Sequence, residues 1–293
     1  MPELRAVVEA ALGRTLGRTV RVLRRVPLGG GSINRTEHLD TDVGAFVLKW
    51  NPDAPAGMFQ AEADGLAALR ASQTSLAIPA VVACQDTAPA FIVLEYLPPG
   101  QAAGDFDERL GQGLAALHRT TSDRYGFARD NFCGATPQPN PWMDRWVDFY
   151  GQARLGHQLQ LAVTGARLSP DDARRIERLI ARLGTWLPEP AEGPALIHGD
   201  LWAGNLHVMS NGGPALIDPA AHFAHREAEL GMMRLFGGFS PRVFAAYDDA
   251  FPLDAGWRER VGLYQLYHLL NHLNLFGRGY HSQVMEVAGR YGV

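Results

Sequence analysis

The hydrophobic pattern of this chain changes period once, at Leu97-Pro98-Pro99-Gly100, where two prolines and a glycine end every regular repeat. Before that break, short Val-, Ile- and Leu-rich runs are separated by turn residues. Strands are expected over Thr19–Pro27, Ile33–Asp40, Ala45–Trp50, Val81–Gln85 and Phe91–Tyr96. Two helical repeats join them, one over residues 2–13 through Leu4, Val7, Val8, Ala11 and Leu12, the other through Met58, Glu62, Leu66 and Leu69. After the break the pattern is mostly helical. Phe106, Leu110, Leu114 and Leu117 mark one helix, and Ser169-Pro170 caps another that carries Ile176, Leu179, Ile180 and Leu183. The expected fold class is α+β, with a small antiparallel sheet over 1–97 and a larger helical part over 98–293.

At 293 residues the chain is long enough for two ordinary domains, and its 46% hydrophobic content with a net charge of -4 excludes global disorder. The same mild acidity speaks against a nucleic-acid partner bound by neutralising many phosphates. No apolar run approaches the roughly 20 residues of a membrane span. The N-terminal repeat is broken by Glu3, Arg5 and Glu9, so it reads as an amphipathic helix and not as a signal peptide. With only Cys84 and Cys133, a disulfide scaffold is not expected. A cytoplasmic protein, as a monomer, is the default.

Among 27 basic residues the only lysine is Lys49; the others are all Arg. Where Arg has replaced Lys so widely, the survivor marks a place where a compact ammonium is needed and a planar fork does not fit. Lys49 lies on an expected strand just after Gly29-Gly30-Gly31-Ser32, a glycine run between two strands. That run fits neither the P-loop nor the dinucleotide fingerprint. Placed one hairpin ahead of the sole lysine, it suits a cover over phosphates, with Ser32 and backbone amides as donors. Glu62, on the following helix, is placed to pair with Lys49.

A second constellation follows the strand Ala195–Ile197, which ends in His198-Gly199-Asp200. Downstream, two strands flank Ser210-Asn211-Gly212-Gly213, and Asn-Gly between apolar runs signals a hairpin. Counted outward from a turn centred on Asn211-Gly212, Met209 faces Pro214, His207 faces Leu216 and Asn205 faces Asp218. An amide and a carboxylate oxygen so paired suit a magnesium ion. Asp200 would face the same space, ionised for want of a neighbouring lysine, and able to accept a hydroxyl proton. His198 is expected to brace the loop.

Glycine hairpin, strand lysine, helix glutamate, linker, H-G-D, L-W-A-G-N and I-D-P occur in that order. The order resembles the protein-kinase-like phosphotransferases. The finer match, carried by Gly29–Asn34, Phe46–Lys49, Met58–Glu62, His198–Asn205, Asp218–Ala220, Glu227–Leu230, Phe236–Phe239 and Leu263–Asn274, is similar to the fructosamine kinase (ketosamine-3-kinase) family. The resemblance implies a bilobal kinase that uses ATP and Mg2+ to phosphorylate the 3-hydroxyl of ketosamines, free or on protein lysines, so that the unstable product releases the amine. It implies Asp200 as base, Asn205 and Asp218 as metal ligands and Lys49 with Glu62 as the phosphate-positioning pair. Glu95-Tyr96-Leu97 would form the hinge against adenine. Some relatives carry Cys where Ser32 stands, and this chain lacks that redox handle.

On the acceptor side Trp202, Asn271 and His272 are candidate contacts. His268 and His272 have the i, i+4 spacing of metal ligands, but Leu269 stands where a zinc hydrolase needs Glu, so His268 is expected in the core. His222 and His225 would reach substrate or cap the helix near Glu227, and Glu227 and Glu229 would brace the catalytic loop. A kinase of the aminoglycoside or choline type and a silent pseudokinase are the alternative readings.

Overall fold

The structure, a computed structural model, describes residues 2–29 and 33–292. Gly30, Gly31 and Ser32 of the expected phosphate cover therefore lie outside the described residues. The first part comprises α1 (Pro2–Leu16), β1 (Val22–Leu28), β2 (Arg35–Thr41), β3 (Gly44–Trp50), α2 (Met58–Ala71), β4 (Val81–Gln85) and β5 (Phe91–Glu95). The strands form one antiparallel sheet in the order β1-β2-β3-β5-β4. Side chains alternate across it. Leu48, Trp50, Phe91 and Val93 pack against Leu4, Val8 and Leu12 of α1, while Ile92 and Leu94 pack against Phe59, Leu66 and Leu69 of α2. Between Leu48 and Trp50, Lys49 must point to the α2 face, and this parity aims the sole lysine into the cleft.

The Pro-Pro-Gly break is pinned, not free. Gly100 N donates to Val208 O (2.9 Å) and Ser210 N to Pro98 O (2.7 Å). The segment thus lies along the hairpin that carries the second constellation.

Beyond it come α3 (Phe106–Leu117), the short hairpin β6 (Asn131–Cys133) and β7 (Thr136–Gln138), and α4 (Trp146–Phe149), which runs through a π-helical stretch at Tyr150–Gly156 into α5 (His157–Thr164). Then follow α6 (Pro170–Ala181), β8 (Ala195–Ile197), β9 (Leu206–Val208), β10 (Pro214–Leu216), β11 (His222–Ala224), α7 (Glu227–Leu235), α8 (Pro241–Ala250), α9 (Trp257–Phe276) and α10 (His281–Arg290). Ser169 caps α6 as expected, its hydroxyl accepting from Asp172 N (3.1 Å). A separate core of Phe149, Tyr150, Ile176, Leu263 and Leu266 holds α9 at the centre of this helical part. No helix among the described residues is long and apolar enough to cross a membrane.

Candidate active site

Lys49 Nζ donates to Glu62 Oε1 at 2.7 Å and to Asp218 Oδ1 at 2.8 Å. Burial alone would lower its pKa, but the Asp218 and Glu62 carboxylates outweigh that and raise it, so the ammonium stays charged. The sequence places Glu62 beside Lys49 correctly. The bond to Asp218, across the cleft, is a long-range contact that no local pattern encodes.

The β9–β10 register differs from the expected one. Val208 pairs with Pro214, His207 with Ala215 and Leu206 with Leu216, so Asn205 stands opposite Ile217, whose N–H bonds Asn205 O (3.1 Å), and not opposite Asp218. The connection is a three-residue loop. Gly212 N closes a turn onto Met209 O (2.8 Å), Gly212 has φ 76, and Met209 N bonds Gly213 O (2.9 Å). A type I turn followed by a left-handed glycine moves the pairing by one position relative to a two-residue turn. Asp218 nevertheless reaches the same space, because it is itself left-handed at φ 58 and turns out of the strand path.

One cavity of about 130 Å3 is bordered by Lys49, Glu62, Asp200, Trp202, Asn205 and Asp218 together. Asn205 Nδ2 donates to Asp200 O (2.8 Å) and lies 3.4 Å from Asp200 Oδ2. With Nδ2 engaged, the amide oxygen is the end left to offer a cation. That oxygen and the Asp218 carboxylate are hard donors, and they fit magnesium.

Asp200 departs from expectation. Burial, reinforced by Asp218 and Glu229, pushes its carboxyl up to about 8. The sequence reading considered only whether a lysine was near, whereas two other carboxylates are near and Lys49 is taken by Asp218. A positive charge brought beside Asp218 would lower the Asp200 value again.

The loop bearing Asp200 is held from behind. Glu229 accepts from His198 N (2.6 Å) and Gly199 N (3.0 Å), and His118 Nε2 lies 3.6 Å away. Burial would raise the Glu229 pKa, but the His118 ring and the His198 ring and amide hold it below the ordinary value. His198 Nδ1 receives Asp200 N (3.3 Å), which leaves Nε2–H to donate to Ile217 O (2.8 Å). Burial lowers the His198 pKa, and a neutral ring matches those roles. Gly199 has φ 84, and a Cβ there would meet Ala220 O at 2.2 Å, so only glycine allows the turn. Glu227 pairs with Arg260 (2.5 Å), His225 Nδ1 caps α7 by accepting Glu227 N (3.2 Å), and His222 Nδ1 bonds Ala220 O (2.9 Å). The alternatives open for these two histidines resolve as a helix cap and a backbone brace.

A second cavity, about 300 Å3, lies between the sheet and the hairpin. It is bordered by Leu28, Gly29, Val47, Lys49, Glu95, Tyr96, Leu97 and Ile217. Lys49 borders both this cavity and the first. His207 Nε2 fixes this strip by bonding Leu97 O (2.9 Å).

A third cavity, about 460 Å3, opens from Asp200 on the other side. Trp202, Phe236, Asn271, His272, Phe276 and Tyr280 border it. Asn271 is committed locally: Nδ2 donates to Cys133 O (3.2 Å) and Oδ1 accepts from Gln158 (3.2 Å). His272 is tied to His268 O (2.8 Å). His268 is buried, as expected, although its Nδ1 has no partner among the described residues.

Sequence reasoning missed the β6–β7 hairpin. Asn131 Nδ2 donates to Ala221 O (2.9 Å) and Gln138 Nε2 to Asn131 Oδ1 (2.7 Å), while the Tyr267 hydroxyl donates to Gln138 Oε1 (2.5 Å). This buried chain of amides holds the strip after Asp218. Its members are distant in sequence and carry no local signal.

The fructosamine kinase family model matches residues 5–291. A protein of Synechocystis assigned as a probable ketoamine kinase is 40% identical over 278 residues, 94% of this chain and 92% of that protein. The chloroplastic protein-ribulosamine 3-kinase of Arabidopsis thaliana is 37% identical over 94% of this chain and 85% of its own. A Thermobifida fusca crystal structure assigned as a fructosamine-3-kinase superposes with a TM-score of 0.87 at 34% identity, covering 97% of each chain. An aminoglycoside phosphotransferase shares the protein-kinase-like fold at a TM-score of 0.61 and 16% identity, covering 96% of each chain. With nearly its whole length matched by the family model and by relatives at this identity, the chain belongs to the fructosamine kinase family.

Proposed function

We propose that this protein is an ATP-dependent ketosamine 3-kinase, with residues 1–97 as the nucleotide lobe and 98–293 as the catalytic and acceptor lobe. The observation that carries the reading is the meeting of Lys49, Asp218, Asn205 and Asp200 around one cavity in a member of this family. Adenine would lie against Glu95, Tyr96 and Leu97 in the sheet-side cavity, with Gly29, Gly30, Gly31 and Ser32 over the phosphates. Lys49, held by Glu62, would fix the phosphates.

Asn205 and Asp218 would hold Mg2+, which when bound supplies charge neutralisation at the phosphates. Asp200 would accept the proton of the acceptor hydroxyl as that oxygen attacks. Its loop is fixed by Glu229 and His198, so the carboxylate is positioned before the acceptor arrives.

The acceptor would be a fructosamine or ribulosamine, free or on a protein lysine, in the aromatic cavity beside Trp202, Asn271 and His272. Phosphorylation at the 3-hydroxyl next to the C2 carbonyl would make a product that eliminates phosphate and frees the amine. The work would be protein repair in the cytoplasm, by a monomer.

The test is ADP release with Mg-ATP and synthetic ribulosamine-lysine or fructosamine-lysine, set against a panel of aminoglycosides. Turnover with a ketosamine and none with the panel is expected. The reverse selectivity would give the protein to the aminoglycoside-type kinases, and nucleotide binding with no turnover on any acceptor would make it a pseudokinase.

A further inference from the structure

Around Asp200 stands a second donor set, of different chemistry from Asn205 and Asp218. Cys133 Sγ, an Asp200 carboxylate oxygen and a ring nitrogen of His268 all lie within 4.8 Å of one another. A tetrahedral ion with bonds of about 2.0–2.3 Å holds its ligands roughly 3.3–3.8 Å apart, so movements of about 1 Å at the ligand atoms would close the set. Cys133 and His268 are 2% and 5% exposed, and His268 Nδ1 is buried with no hydrogen-bond partner. A buried ring nitrogen left without a partner is costly, and an ion taken at Nδ1 would satisfy it. The site has an entrance, because Cys133 and Asp200 both border the open acceptor cavity. It also has outer support, since Asn271 Nδ2 lies 3.3 Å from Cys133 Sγ and would donate to a thiolate.

We propose that Cys133, Asp200 and His268 form an inhibitory site for a soft divalent cation, zinc above all. Sulfur and imidazole donors select zinc over magnesium, while Asn205 and Asp218 offer only oxygen. Binding replaces the S–H bond of Cys133 by an S–Zn bond and the O–H bond of the Asp200 carboxyl, protonated near neutrality in the free site, by an O–Zn bond, and releases both protons to solvent. Thiolate and carboxylate then carry two negative charges against the two positive charges of the ion. Burial, reinforced by Asp200, keeps the free thiol protonated, well above its ordinary pKa, while the Tyr267 hydroxyl, the Arg154 guanidinium and the Asn271 amide favour the thiolate. With the ion in place the Asp200 oxygen is no longer free to take the acceptor proton, so zinc would stop turnover while nucleotide still binds.

The probe is Co2+, titrated into the metal-free full chain without thiol reductant and followed by absorbance. A thiolate-to-cobalt charge-transfer band with intense tetrahedral d–d bands is expected, abolished when Zn2+ is added. In Cys133→Ser the charge-transfer band should vanish and the Co2+ dissociation constant rise at least tenfold. In His268→Asn the band should persist with affinity weakened by at least tenfold. Melting curves of both variants show that each is folded. Absence of the band in the wild type would overturn the proposal, as would zinc inhibition of Cys133→Ser at the wild-type concentration, which would put the ion on Asn205 and Asp218. The spectrum requires no acceptor, so it stands or falls separately from the kinase reading.

Discussion

On the phosphate side of the cleft Lys49, Glu62 and Asp218 bond one another, and Glu229 takes two backbone amides behind Asp200. On the proposed acceptor side Trp202, Phe236 and Phe276 keep 38%, 42% and 56% of their surface open. The first wall is complete before any ligand arrives; the second presents apolar rings that gain contacts only when something enters. Removing a group from the first leaves a buried partner unpaired, whereas removing a ring from the second removes area for the acceptor and little else. A wall that holds charge in one geometry is built from paired groups, and the wall proposed to receive the acceptor is built from open surface.

The largest effect is expected at Asp200. Asp200→Ala should lower kcat by about 10^3 to 10^4 with ATP affinity within a few-fold of wild type, measured by ADP release and nucleotide titration. Near-normal turnover would remove the base from the scheme. Next, Lys49→Arg should lower kcat/KM for ATP by about a hundredfold, because a planar fork cannot reproduce bonds of 2.7 and 2.8 Å to two carboxylates around one nitrogen. Glu229→Gln should destabilise the fold by about 2–4 kcal/mol in urea unfolding and reduce kcat, since an amide oxygen replaces a charge that accepts two amides.

Acid should act on the buried histidines of the helical part in opposition to Asp200 in the cleft, whose raised carboxyl gains stability as the pH falls through about 8. Burial, with Arg260 and Arg226 nearby, holds His225 down to about 3, and burial with His272 and Arg154 does the same for His268. Free histidine titrates near 6.5, so below that pH the unfolded chain binds protons that the native chain does not. Stability is full above about 6.5 and falls as the pH drops toward 3, by up to about 1.4 kcal/mol per pH unit for each ring. Urea midpoints at pH 7 and 5.5 in Asp200→Asn, which lacks the opposing contribution of the raised Asp200 carboxyl, check this; equal midpoints there would contradict it. The smallest effect belongs to the open wall. Phe276→Ala should raise KM for the acceptor several-fold, leave KM for ATP unchanged, and alter stability by only about 0.5 kcal/mol.

The two walls also differ in how far the sequence discloses them. The strands, the Ser169 cap, the hairpin lysine and its helix glutamate follow from local periodicity and spacing, which the backbone enforces within a few residues. The β9–β10 register does not, because Asn211-Gly212 serves a two-residue turn and a three-residue loop alike, and what decides is that Gly212 is left-handed while Asn211 is not, whereas a two-residue type I′ turn needs both. The charge on Asp200 depends on Asp218 and Glu229, brought near by the fold. The amide chain from Asn131 through Gln138 to Tyr267 spans three elements, and nothing in its spacing announces it.

The most direct measurement is the position of the phosphate on the product. With Mg-ATP and fructosamine-lysine, phosphorus–proton correlation spectroscopy should show the phosphate coupled to the proton on C3, with free lysine appearing as that signal decays. Phosphate at any other hydroxyl, or phosphorylation confined to an aminoglycoside under the same conditions, would contradict the account.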